Sequence, residues 1–155
     1  MANRFKRLFA VTKVKTSGSY ALRRLEEQLP TPYLEYGFSG GSTHLVCGGF
    51  VSGYYSPEVI IAHATYGELV TAIGTSAFSG TNIVSVTIPD TITLIGGSAF
   101  ANCTNLASVT FLGTIEQWNA IFKGSTGAMY DCFRGSLALS YIQCRNGVVP
   151  LWELE

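Results

Sequence analysis

Ile83-Val84-Ser85-Val86-Thr87-Ile88-Pro89-Asp90-Thr91-Ile92-Thr93-Leu94-Ile95-Gly96-Gly97-Ser98-Ala99-Phe100 is the stretch whose reading decides the fold. Upstream, Ile61-Ala62-His63-Ala64-Thr65 through Ile73-Gly74 to Ala77-Phe78 lies over it at a step of 22, so that Ile73, Gly74, Ala77 and Phe78 recur as Ile95, Gly96, Ala99 and Phe100. A third copy opens 23 residues on, with Ile83, Val86 and Ile88 recurring as Leu106, Val109 and Phe111. After Gly113 the pattern dissolves into Trp118, Ile121 and Phe122. Self-similarity at such a period marks units that bury their apolar faces only by stacking on one another.

Each unit has a physical reading. Val86 and Ile88 alternate with Ser85 and Thr87, which predicts a strand with Val and Ile inward and the hydroxyls outward. Pro89 ends that strand, having no N–H to give to the neighbouring coil. Ile92 and Ile95 turn inward again, Gly96 permits a bend, and Ala99-Phe100 sets an aromatic ring under the next coil. Phe78 and Phe100 are expected to stack as a ladder. By the same alternation His63, Thr65, Ser85, Thr87, Ser108 and Thr110 are expected on the exposed strand face.

Composition and charge set the bounds. The chain has 155 residues, 47% apolar and 13% charged, a profile that excludes a disordered polyelectrolyte. No apolar run approaches the ~18 residues of a membrane span, so a mean hydropathy of +0.27 reflects burial. The zero net charge hides an asymmetry. Residues 1–30 carry Arg4, Lys6, Arg7, Lys13, Lys15, Arg23 and Arg24 against Glu26 and Glu27, and the rest of the chain is acidic. Between Glu68 and Glu116 the single formal charge is Asp90.

Four regions follow: a basic N-terminal arm over 1–32, a β-rich cap over 33–60, the repeats over 61–113 and a C-terminal cap over 114–155. Ser19 to Leu29 predicts a short helix, capped by Ser19, with Leu22, Leu25 and Leu29 along one side and Pro30 as its stop. Gly40-Gly41 and Gly48-Gly49 suit turns between short strands of the cap. The fold class is therefore mainly β with short helical turns, a β-solenoid of about three coils preceded by a short helical arm.

The repeat resembles the BspA-like bacterial leucine-rich repeats, whose pattern is a strand ending in Pro, a Val/Ile-x-x-Ile-Gly-x-x-Ala-Phe segment, a turn with Cys, and Leu opening the next coil. Ile88-Pro89, Ile92 to Phe100, Cys103 and Leu106 carry that pattern here. Tyr66-Gly67-Glu68-Leu69-Val70-Thr71 is similar to the lead-in before the first regular coil of such proteins. Glu116 to Gly124, with Tyr141 to Gly147, is similar to their C-terminal finish. The resemblance spans about Tyr33 to Val149 and leaves residues 1–32 outside. It implies a non-catalytic adhesin or binding module that offers its repeat face to a protein partner.

Chemical constellations are sparse. His44 and Cys47 lie three apart, but a Cys–His nucleophile needs spatial pairing and an oxyanion site that spacing does not supply. Two histidines dispersed among Cys47, Cys103, Cys132 and Cys144 form no zinc pattern. The thiols are expected to be mostly structural, with a Cys132–Cys144 bridge left open. Asp90 follows Pro89 at a turn, and turn chemistry accounts for it. Asn102-Cys103-Thr104 matches a glycosylation acceptor, and equally suits the repeat turn. Trp118, Trp152 and the tyrosines suggest either a ligand platform or, for Trp118, a cap over the last coil.

No enzyme, cofactor or metal site is therefore expected. The function expected is protein recognition through a hydroxyl-rich repeat face. The alternative is a structural phage-particle component, a capsid decoration or tail protein, anchored by its arm. Homo-oligomer or particle assembly would run through residues 1–32, and nucleic acid would be met only by the basic arm. With no signal-peptide pattern, a cytoplasmic or virion-associated location is expected rather than secretion by the usual route.

Overall fold

The computed structural model of the chain describes residues 30–38, 45–123 and 132–151. The expected helix at Ser19–Leu29, all seven basic arm residues, Gly40-Gly41, His44 and Trp152 lie outside them. The elements are β1 (Leu34–Phe38), β2 (Leu45–Phe50), β3 (Glu58–Ile60), β4 (Ala64–Thr65), β5 (Glu68–Ile73), β6 (Ser85–Ile88), β7 (Leu94–Ile95), β8 (Ser108–Phe111), α1 (Ile115–Lys123), β9 (Tyr141–Cys144) and β10 (Gly147–Pro150).

Two sheets enclose the core. In the first, β3, β6, β8 and β9 run parallel in that order, and β10 closes the edge as an antiparallel hairpin partner of β9. In the second, β2, β5 and β7 run parallel, β1 pairs with β2, and β4 folds back on β5. Val59, Val86, Val109 and Ile142 point inward from the first sheet, and Leu45, Val70, Ile73 and Ile95 are buried on the second. These side chains belong to one continuous core. A unit whose every strand is half-buried in this way has no core of its own.

The turns form a third stack. Phe78 N–H donates to Ala99 O and Phe100 N–H to Cys132 O, both at 2.7 Å. Their rings follow the same order. Phe78 and Phe100 stack with centroids 5.3 Å apart, as do Phe100 and Phe133, and Phe50 meets Phe78 edge-on at 5.5 Å. The expected two-rung ladder thus extends in both directions. Below each ring a small polar side chain hooks the previous coil: Cys103 Sγ donates to Phe78 O at 3.0 Å and Ser136 Oγ to Phe100 O at 2.9 Å.

Three details differ from expectation. The ladder partner of Ser85 is Glu58 and that of Thr87 is Ile60, so the strand of the first unit starts three residues before Ile61. The step of 22 holds for the turn half, where Ala72 and Ile73 pair with Leu94 and Ile95. In the strand half it is displaced by the β4–β5 hairpin, whose turn residues Tyr66 and Gly67 both take positive φ, as a tight two-residue hairpin needs. Gly96 is needed less for a bend than for close approach, since a Cβ there would lie 2.5 Å from Thr75 N. Gly48-Gly49 makes no turn and lies within β2, where Gly49 has φ +108 and passes tightly beside Ala77 O.

The C-terminal finish is held by α1. Thr114 Oγ1 accepts from Gln117 N–H, and Gln117 Oε1 accepts from Thr114 N–H at 2.9 Å, a reciprocal capping box. Asn146 of the β9–β10 turn accepts from Ile115 N–H at 2.8 Å. Trp118 is fully buried between Phe111 and Phe133, the position of a cap over the last coil.

Candidate functional site

The outward side of the parallel sheet carries two rows of mostly polar side chains, with short hydroxyl residues on its two central strands. Glu58, Ser85 and Ser108 form one row, and Ile60, Thr87, Thr110 and Gln143 form the next. All are exposed or half-buried, whereas the residues between them on β3, β6, β8 and β9 are buried. Parallel pairing in register at every strand keeps these hydroxyls in straight rows. Four of the six expected face residues, Ser85, Thr87, Ser108 and Thr110, are brought together here.

His63 and Thr65 do not join them. Thr65 lies on β4 and pairs with Glu68. His63 sits at the carboxyl end of the ladder, in the bend that leads into β4, and there it meets charges. Its Nε2 stands 3.9 Å from Asp90 Oδ1. Arg145, from the β9–β10 turn, donates from Nη2 to Asp90 Oδ2 at 3.1 Å and from Nε and Nη2 to Leu112 O at 3.0 and 2.8 Å. Three residues 27 and 55 positions apart in sequence thus converge on one lip. His63 and Arg145 expose 60% of their side chains and Asp90 36%, so the pair adds little to stability and much to surface chemistry.

A groove of about 750 Å³ runs along this lip. It is lined by Ile60 and Thr110 of the ladder, by Pro89 and Leu112, and by His63, Asp90 and Arg145. That volume lies within the range of small-molecule and short-segment sites. Asp90 was expected only as a turn residue, and Arg145 only as part of the closing motif. The signal available in sequence was their common place one or two residues beyond a strand end, blurred by the insertions on either side.

The buried thiols offer no nucleophile. All four cysteines are buried, and Cys144 is a free thiol, so the open question of a Cys132–Cys144 bridge is answered in the negative. Burial pushes the Cys47 thiol up to about 11, with Gly49 N–H opposing weakly. Burial likewise raises Cys103 and Cys144, the latter helped by the charge of Glu116. A thiol shifted upward is a poor nucleophile and a poor metal ligand. Tyr36, whose oxygen accepts from Ala62 N–H at 3.0 Å, is raised well above its ordinary value by burial, with Cys47 adding to the shift. Among the described residues no group of three or more His, Cys, Asp or Glu is placed to hold a metal, and no helix is long and apolar enough to cross a membrane.

Stacked strand–turn units around one core, with aromatic rungs and a polar outer ladder, define a leucine-rich repeat solenoid. Over residues 71–149 the chain matches the family described as BspA type Leucine rich repeat region (6 copies), and it belongs to that family. Such families are typically non-enzymatic modules of protein interaction. Among solved structures it is similar to a leucine rich repeat protein of T. pallidum, at 20% identity and a TM-score of 0.54, with 74% of this chain and 49% of that one covered. The chain thus spans about half the length of that relative. It is also similar to a leucine-rich repeat protein from Bacteroides capillosus, at 19% identity, TM-score 0.47, 76% of this chain and 97% of that one. A leucine rich cell surface protein from Faecalibacterium prausnitzii shares 20% identity, with TM-score 0.45, 72% of this chain and 29% of that one. No curated protein matches the chain.

Proposed function

We propose that the chain is a non-catalytic recognition module that holds a protein partner against the outward ladder of its parallel sheet and the groove at the ladder's carboxyl lip. The observation that carries this reading is the alignment of Ser85, Ser108, Thr87 and Thr110 in two straight rows beside an open groove. A rigid, water-exposed array of hydroxyls gives donors and acceptors without charge, and so selects by shape and hydrogen bonding. Its ordering is already complete before any partner arrives, which lowers the entropy lost on binding. An adhesin-like role is one use of such a face.

Site-directed photocrosslinking tests it. A photoreactive residue at Thr87 or Thr110, in the cells that make the protein, is expected to give one discrete protein adduct. The same residue at Thr104, in the turn after the Phe100 coil, is expected to give none. Equal labelling from all three positions, or from none, overturns the assignment of the face.

A further inference from the structure

We infer that the groove at the carboxyl lip binds an extended peptide segment of the partner through its main-chain amides, with Arg145 and Asp90 as the paired donor and acceptor. This rests on the reading of the ladder as a protein-binding face, and it names the part of the partner that the lip recognises.

The hydrogen-bond inventory of the lip leads there. Arg145 is clamped by Leu112 O and Asp90, which use Nε and Nη2. Its third nitrogen, Nη1, has no hydrogen-bond partner among the described residues and carries two N–H donors. Asp90 gives Oδ2 to Arg145, while Oδ1 faces His63 at 3.9 Å, beyond hydrogen-bond length. The lip therefore presents one held cationic donor and one held anionic acceptor whose remaining hydrogen-bonding capacity is open to a ligand. Their charges cancel. A peptide group presents the complementary pair, a C=O acceptor and an N–H donor, with no net charge.

An acidic side chain would meet Asp90, and a basic one would meet Arg145, so neither matches both halves. The walls agree with this choice. Ile60, Pro89 and Leu112 supply apolar contact for an alternate side chain of an extended segment, and Thr110 adds a hydroxyl from the ladder. Arg145 is preorganised by three hydrogen bonds, so little of its side-chain freedom remains to be lost on binding.

Panning a displayed library of short linear peptides on the full chain, then titrating synthetic copies of the enriched sequences, tests the inference. The expected consensus is apolar at one position and free of a required charge, with affinity that changes less than about twofold between low and high salt. N-methylation at one main-chain position of the peptide should weaken binding roughly tenfold or more, the worth of one hydrogen bond to a charged group. Arg145→Ala and Asp90→Ala should weaken it to a similar degree. Asp90→Asn keeps a neutral oxygen acceptor and should weaken binding clearly less than Asp90→Ala.

Thermal midpoints of all variants are read alongside. Should Arg145→Ala fail to fold, Asp90→Asn and the N-methyl series on the unaltered chain decide the matter. A consensus rich in Asp or Glu that binds more tightly to Asp90→Asn assigns the lip to an acidic side chain and overturns the inference. Loss of binding in Asp90→Asn, with a Lys or Arg consensus, assigns it to a basic one and does the same. Failure to enrich any peptide, or indifference of the enriched peptide to Arg145→Ala, also overturns it. Crosslinking from Thr87 that persists in the Arg145→Ala chain would then leave the recognition face standing without this lip.

Discussion

The turn stack and the carboxyl lip of the ladder are built by opposite rules. In the stack, Phe78, Phe100 and Phe133 repeat one contact, ring on ring at 5.3 Å, and each small residue beside them is there to let the coils close. At the lip nothing repeats. His63, Asp90 and Arg145 follow β3, β6 and β9, yet each has a different side chain and stands at a different kind of turn. Periodicity is what stacking requires, because every interface must be satisfied by the same unit. A site that must discriminate needs the reverse, side chains that differ from coil to coil.

The largest effect that would break this contrast is expected in the stack. Phe100→Ala empties a fully buried slot between two parallel rings, and should destabilise the fold by about 3–5 kcal/mol in a denaturant titration. A loss under about 1 kcal/mol would mean that the column is not the spine of the structure.

The buried interior also has a pH signature. The Cys47 thiol is raised from its ordinary value of 9.0 to about 11 in the folded chain. A raised pKa favours the protonated form in the fold. Its stabilisation is complete below the unfolded value and is lost as pH rises through the folded one. Stability should therefore fall between about pH 9 and 11, by roughly 2–3 kcal/mol from this group. Cys47→Ala should flatten that slope. An equal slope in both chains would remove Cys47 as its source.

Gly96→Ala probes the same interior by overpacking. The added Cβ would lie 2.5 Å from Thr75 N and 2.8 Å from Gly74 C, both backbone atoms of the preceding coil. Relief requires the coils to part, and the expected loss is about 1–3 kcal/mol. Gly97→Ala, with nothing within 4 Å of the new atom, is the control and should leave the unfolding midpoint close to that of the unaltered chain.

How much of this was legible in sequence follows the same division. The core of the repeats was, because Val86, Ile88, Val109 and Phe111 alternate strictly and Phe78 and Phe100 recur at one step. Phe133 was missed as the third rung, since the α1 excursion lengthens its coil and hides the period. The signal was local instead: a small residue then Phe, followed two positions on by Gly80, Asn102 or Gly135, all at positive φ. The misplacement of His63 has the same cause. An insertion keeps the buried turn half in register and displaces the strand half, so a single step fitted to the turns carries His63 onto the wrong row. The lip left only a faint signal, the place of Asp90 and Arg145 just beyond a strand end, because its chemistry depends on which strand ends become neighbours, and no period records that.

The smallest expected effect lies on the ladder. Thr87 is flanked by Ile60 and Thr110 on the neighbouring strands, with its methyl and hydroxyl on the outer surface and its backbone bonds independent of its side chain. Thr87→Ala removes no buried contact and leaves no polar atom unsatisfied. It lowers strand propensity slightly, a term bounded by the full span of that scale at about 1 kcal/mol and smaller for a half-exposed site. The unfolding free energy should change by less than about 0.5 kcal/mol. Thr87→Arg should be equally mild for folding, since the row faces water, yet it plants a long cation in the middle of the proposed contact face. Measured together, the two variants separate stability from recognition: unchanged midpoints with loss of the Thr110 crosslink only in Thr87→Arg is the expected pattern. A midpoint loss in Thr87→Ala approaching that of Phe100→Ala would place Thr87 in the core, and the outward ladder would have to be redrawn one residue along.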